Sequence, residues 1–319
     1  MSEGGAELPV LHPKDLDLQR DDQQWLIRSL WGRAAVGIVG GAPKCCKTFF
    51  GLDMAVSVAS GTKALGHFEV EDHGAVLVYL AEDGLPMVRQ RIESLCRRRL
   101  LDLAGLDLKV ITAPTLRLDL KSDQDRLRAT VRRLRPRMLL LDPLVRLHRL
   151  DENSATEISG LLGYLREIQR TFDVAVVLVH HASKRHRSEP GQALRGSGDL
   201  HAFGDSNAYL VRNGNHLVLT IEHRAARAPD PLLLELVAGP NGEGVHLEIK
   251  PSGNEPDPAR VLAAAIVVLL KESGTPIPRN QLRDQLRVKN ERLGEVLLDL
   301  ERRGRIQRSD AGWLAAPGV

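Results

Sequence analysis

Gly41, Lys47 and Thr48 fit the spacing G-x-x-x-x-G-K-[ST] of a phosphate-binding loop, but Cys46 stands where the second glycine belongs. In such a loop the backbone N–H groups face an anion, and the following helix points its positive end at the same place. The candidate binding segment is therefore Gly41, Ala42, Pro43, Lys44, Cys45, Cys46, Lys47 and Thr48, with Phe49 beside it. Lys47 would bridge the β- and γ-phosphates of a nucleotide, and the Thr48 hydroxyl would bind Mg²⁺. The competing reading is a glycine-containing turn with a surface lysine. Glycine suits the Cys46 position because it reaches φ > 0 freely and has no Cβ to hold the backbone off the anion. If that position needs φ > 0, cysteine costs on the order of 1–2 kcal/mol, roughly 5–30-fold in affinity. Beside Lys47 at a helix N-terminus, a cysteine thiol is also expected to have a lowered pKa, making Cys45 or Cys46 reactive. The alternative is a small apolar filler.

Other candidate groups end apolar runs. Asp142 closes "RMLLLDP", where a carboxylate beside the loop can hold Mg²⁺, usually through water. It could instead open an Asp-Pro turn. Glu82 closes "AVLVYLAED" and is placed to polarise an attacking water, with Asp83 as competitor. Either acid could also cap the helix near Pro86. His180 and His181 finish "VAVVLVHH"; we prefer His180 as a group that touches the terminal phosphate and reports its loss, against an ordinary structural histidine. His186, His201 and the neighbouring acids have no metal-ligand spacing.

These residues must be brought together by alternating elements. "AVGIVG" reads as a strand, followed by a helix from Lys47 that Gly61 stops. "AVLVYLAED", "LKVITAP", "RMLLLDP" and "VAVVLVHH" read as strands, and 85–101, 122–134 and 155–170 as helices. Nearly continuous apolar strands suit a mostly parallel sheet covered on both faces, so the fold class is α/β. From about Asn207 the pattern becomes antiparallel hairpins, with turns at Asn213-Gly214-Asn215 and between Gly239 and Gly244. An N-terminal arm (1–24), a core (25–249), a linker (250–258) and a small C-terminal domain (259–319) follow from this reading. In the last, helical patterns at 259–272, 279–286 and 291–303 and a turn at Asp310-Ala311-Gly312 predict a winged helix.

Composition narrows the classes. A chain of 319 residues with 43% hydrophobic content can bury a large core and carry a second domain. Its 44 basic and 41 acidic residues neither demand nor exclude nucleic acid. Three cysteines build no disulfide framework, and "MSEGGAELPVLHPKDLDLQRDD" lacks a leader pattern, so a cytoplasmic protein is expected. "VLAAAIVVLL" is about half the roughly 20 residues of a membrane span, so no transmembrane helix is expected.

"GAPKCCKTFFGLDMAVSVASG", "VLVYLAED", "LLLDPLVRLH" followed by "DEN", and "VLVHHASK" followed by "RGSGDLHAFGDS" resemble the RepA-type hexameric replicative helicases of plasmids and the wider RecA-like AAA family. The resemblance runs from about Trp25 to Arg224. It implies a RecA-like P-loop core, ATP with Mg²⁺ between neighbouring subunits of a homo-oligomeric ring, and DNA in or near the ring centre. By position it implies Lys47 and Thr48 as phosphate-loop residues, Glu82 as catalytic glutamate, Asp142 as second metal-site acid and His180 as phosphate sensor. Cys46 and the C-terminal module depart from it, which puts turnover and the helicase role in question. A ring also implies an arginine finger; Arg224 in "TIEHRAAR" is preferred over Arg212. Lys184, Arg185, Arg187 and Arg195, in the long loop 182–198, could bind DNA phosphates, although the loop has no aromatic for stacking. In the winged helix, Lys289, Arg292, Arg302, Arg303, Arg305 and Arg308 flank a recognition helix that also carries Glu291, Glu295, Asp299 and Glu301. Three readings compete: an ATP-hydrolysing ring acting on DNA, in its most specific form in replication of a mobile element; a nucleotide-gated DNA-binding regulator; and a non-catalytic scaffold with an impaired loop.

Overall fold

The computed structural model describes residues 10–15, 24–152, 154–181, 198–213, 216–239, 244–250, 258–286, 288, 290–302, 304–309 and 311–316. The chain divides into two compact units, Met1–Pro251 and Ser252–Val319.

A small antiparallel hairpin opens the first unit: β1 (Trp25–Ile27) and β2 (Trp31–Gly32), with Trp31 fully buried. Then come β3 (Val36–Gly41), α1 (Lys47–Ser60), β4 (Val76–Leu80), α2 (Leu85–Arg98), β5 (Leu108–Val110), α3 (Lys121–Leu134), β6 (Met138–Asp142), α4 (Ala155–Phe172), β7 (Ala175–His181) and α5 (Gly198–Phe203). Four strands close the unit: β8 (Ser206–Asn213), β9 (His216–His223), β10 (Leu232–Ala238) and β11 (Val245–Ile249).

Among the described residues nine strands form one sheet in the order β11-β10-β9-β8-β3-β7-β6-β4-β5. β5, β4, β6, β7, β3 and β8 run parallel, and β9, β10 and β11 add antiparallel pairs at one side. This is the α/β architecture expected, a mostly parallel sheet with antiparallel edge hairpins. The parallel strands carry side chains to two apolar layers, which explains their unbroken hydrophobic runs. One layer holds Phe50, Met54 and Val58 of α1 with Val39, Val78, Leu140 and Val177 of the sheet. The other holds Leu127 of α3 and Leu161 and Leu165 of α4 with Ile38, Tyr79, Leu141 and Leu178. Strand parity thus decides which layer, and which side of the site, each strand-end residue faces.

α1 is buried over most of its surface, because it lies between the sheet, α2 and β11. It ends at Gly61, whose φ of 73° lets its N–H return to the Ser57 carbonyl at 2.8 Å. The chain leaves β3 for α1 and then crosses to β4, with β7 and β6 lying between β3 and β4. Such a reversal of strand order opens a crevice at the carboxyl ends of the strands, where ligands bind in open α/β sheets.

The second unit has α6 (Pro258–Ser273), α7 (Arg279–Leu286), α8 (Asn290–Arg302) and a hairpin of β12 (Ile306–Ser309) and β13 (Gly312–Ala315). Leu262, Ile266 and Leu270 pack with Leu282, Leu293, Leu297 and Trp313 in a core of its own. Arg292, Glu295, Glu301, Arg302, Arg305 and Arg308 are exposed, whereas Lys289 and Arg303 lie outside the described residues. Among the described residues no helix is long and apolar enough to cross a membrane.

Candidate functional site

The chain turns out of β3 at Gly41, where an added Cβ would come within 2.4 Å of the Leu210 carbonyl of the neighbouring strand. Only glycine fits that approach. The loop then takes left-handed backbone at Lys44 (φ 66°) and at Cys46 (φ 59°, ψ 24°), immediately before α1. Cysteine therefore occupies a position where φ > 0 is required. No side chain caps the start of α1, so its first N–H groups are left for another acceptor. Lys47 is buried and its Nζ donates to the Ala42 carbonyl at 2.8 Å. Burial lowers its pKa, while Cys45, Asp142, Cys46 and Glu82 act in the opposite direction.

Asp142 continues the parity of Met138 and Leu140, so it emerges on the α1 side of the sheet next to Thr48. Burial pushes its pKa up to about 6; the hydrogen bond with the Thr48 hydroxyl works the other way. Its Oδ2 is buried without a hydrogen-bond partner. Glu82 and Asp83 follow β4 and line the same cleft but have different partners. Asp83 pairs with Arg91, which also lies 4.8 Å over the Phe49 ring. Glu82 is half exposed and accepts from Arg146 at 2.8 Å.

The cleft measures about 390 Å³ and brings together Lys44, Cys45, Cys46, Lys47, Thr48, Phe49, Glu82, Asp83 and Asp142. Leu80, Arg91, His181, Arg212 and Leu236 complete its lining. Three placements correct the reading of the sequence. His181, not His180, lines the cleft, because β7 turns Val177, Val179 and then His181 to the α1 side. His180 is buried with the opposite parity, 3.7 Å from a Glu152 oxygen that also lies 3.6 Å from His148. Second, the Cys46 thiol pKa is raised rather than lowered: burial dominates, and Cys45 adds to it, against the cations of Arg212 and Lys47. Cys45 is a buried member of the α1-side core. Third, Arg212, considered as a finger for a neighbouring subunit, reaches the loop of its own chain and donates to the Lys44 carbonyl at 3.1 Å.

Arg224 lies off this cleft, half exposed, 3.3 Å from Asp205 and donating to the Ala202 carbonyl. Lys184, Arg185, Arg187 and Arg195 lie outside the described residues. Sequence alone does not place Arg91, Arg146 and Arg212 at the site, because their contacts span from 8 to 168 positions of sequence. The parity of "VAVVLVHH" did hold a usable signal for His181.

The donor set suits a nucleotide with Mg²⁺. Uncapped helix N–H groups and a buried lysine answer an anion, while an orphaned carboxylate oxygen beside a threonine hydroxyl answers a hard cation. Among the described residues there is no group of three or more His, Cys, Asp or Glu suited to a metal. Mg²⁺ bound through one carboxylate and substrate phosphates needs no such cage.

A family model described as an AAA domain (AAA_25) matches residues 6–187. Among solved structures, the RadB recombinase superposes with a TM-score of 0.50 at 16% identity, over 68% of this chain and 92% of that one. A DnaB-like replicative helicase superposes with a TM-score of 0.50 at 17% identity, over 67% of this chain and 59% of that one. At such identities the likeness is one of fold. No curated protein matches the sequence.

Proposed function

The chain belongs to the AAA domain family, and we propose from that premise that it binds and hydrolyses ATP as a ring of identical subunits acting on DNA. The observation that carries this reading is the convergence of Lys47, Thr48, Asp142 and Glu82 in one cleft at the carboxyl ends of β3, β6 and β4. If the cleft held no nucleotide, nothing in the packing would require an uncapped helix start, a buried lysine and an orphaned carboxylate oxygen together.

In this reading Lys47 exchanges the Ala42 carbonyl for β- and γ-phosphate oxygens, and the N–H groups from Cys46 into α1 surround the same anion. Thr48 and Asp142 would hold Mg²⁺, whose charge would offset that developing on the phosphoryl oxygens. Glu82 orients the attacking water and accepts its proton. Its ion pair with Arg146 is solvent-exposed and therefore weak enough to exchange. Asp83 is already paired with Arg91, which leaves Glu82 as the freer base. His181, which lines the cleft, takes the sensing position instead of His180. Arg224, exposed and away from its own cleft, is the finger offered to the next subunit.

DNA enters the proposal through the basic stretch 182–198 and through the second unit. Its three helices and hairpin suit a winged helix with Arg292, Arg302, Arg305 and Arg308 on its surface. The similarity of fold to a recombinase and to a replicative helicase supports this direction. A RepA-like role in replicating a mobile element is its most specific form. ATP hydrolysis measured with and without single-stranded DNA, beside a duplex-unwinding assay, tests it. Stimulated turnover with unwinding is expected; ATP-dependent duplex binding without unwinding would instead make the protein a nucleotide-gated regulator.

The Asp142 carboxylate also sets a pH dependence. Burial raises its pKa to about 6, so below that pH a proton competes with Mg²⁺, and above it the carboxylate is ionised. The Mg²⁺ concentration for half-maximal hydrolysis should rise by up to about tenfold per pH unit below 6 and level off above it. A requirement that stays flat between about pH 5 and about pH 7 would remove Asp142 from the metal site.

A further inference from the structure

We infer that Arg212 is a positioning residue for the phosphate loop of its own subunit, needed because that loop carries Cys46 in place of glycine. The inference rests on the ATPase reading above and adds a residue to it.

Lys44 and Cys46, with Cys45 between them, are both left-handed, and neither is glycine. For an L-residue this backbone is strained, and it persists where the surroundings hold it in place. The restraint comes from β8. That strand pairs with β3 so that Gly41 faces Leu210, and the parity that sends Ala208 and Leu210 to the α1 side sends Arg212 there as well. The guanidinium donates to the Lys44 carbonyl at 3.1 Å and lies beside the Cys46 thiol, where its charge acts on the sulfur.

The Lys44 carbonyl belongs to the peptide that joins Lys44 to Cys45. The N–H of that same peptide donates to the Ala42 carbonyl at 3.3 Å. One peptide unit is therefore held at both ends, and it is the pivot between the two left-handed residues. With this pivot fixed, the N–H groups that follow Cys46 keep the direction a phosphate needs. Glycine at position 46 would make the left-handed turn accessible without that restraint, and Arg212 would then matter little. The same contact ties Arg212 to its own cleft rather than to a neighbour's.

The test is a double-mutant cycle on ATP·Mg²⁺ affinity in the full chain, measured by calorimetry for wild type, Arg212→Ala, Cys46→Gly and the double variant. Arg212→Ala is expected to weaken binding roughly tenfold in the wild-type background and less than about twofold in the Cys46→Gly background. Because Arg212 is exposed, the thermal midpoint of the nucleotide-free protein should hardly change. Arg212→Lys, which keeps the charge but loses the planar fork, gives the same comparison if the alanine variant melts early. Equal losses in both backgrounds, or no loss in wild type, would overturn the inference while leaving the ATPase reading intact. Wild type that binds no nucleotide would sink both.

Discussion

Glu82→Gln is expected to bind ATP·Mg²⁺ within about twofold of wild type and to hydrolyse it roughly 10²–10⁴-fold more slowly. The amide keeps the shape and the hydrogen bonds of the side chain but cannot accept the proton of the attacking water. In the proposed site, binding rests on a different set of groups that line the same cleft, Lys47, Thr48 and Asp142 with the loop N–H groups, and all of these remain. Glu82 is half exposed and bonded only weakly through Arg146, so the substitution should not disturb packing. Single-turnover hydrolysis beside equilibrium binding separates the two effects. Wild-type turnover in the Gln variant would move the base to Asp83, whose pairing with Arg91 would then have to break during the reaction.

The second large effect is expected at Arg224, the proposed finger. A cation supplied across a subunit boundary is worth on the order of 10³–10⁵ in rate, because it neutralises charge that develops only in the transition state. Arg224→Ala is therefore expected to reduce hydrolysis by about 10³-fold or more, and added variant subunits should poison wild-type rings out of proportion to their fraction. Within its own subunit Arg224 meets Asp205 and the Ala202 carbonyl near the end of β9, outside the cleft lining. The loss should thus appear in turnover and not in the affinity of a protomer for ATP. Specific activity should also rise with protein concentration. A monomer by light scattering in ATP and Mg²⁺ at full activity would exclude an intersubunit finger.

The residues at the strand tips show what sequence can and cannot reveal. The placement of Asp142 and Glu82 at the strand ends that line the cleft was legible because each closes an apolar run, and a parallel strand buried on both faces has a readable carboxyl end. The hairpins after Asn207 were legible from their turn residues. The preference for His180 does not hold in the structure: alternation counted from Val177 sends His181 to the α1 side. Cys46 shows a competition of effects. Its neighbour Lys47 and the helix start favour the thiolate, yet burial against Cys45 and the α1 layer outweighs them, so the thiol pKa rises. Arg212 could not be read in advance, since its partner Lys44 is 168 positions away and only the β3–β8 register brings them together.

The central claim is that a phosphate loop with cysteine at its left-handed position still works. Calorimetric titration of ATP·Mg²⁺ into wild type, Lys47→Ala and Cys46→Gly tests it most directly. Binding by wild type, its loss in Lys47→Ala and equal or tighter binding by Cys46→Gly are the predicted results. No binding by wild type, with clear binding by Cys46→Gly, would mean that the loop is broken as the sequence stands and that the protein acts without turning over ATP.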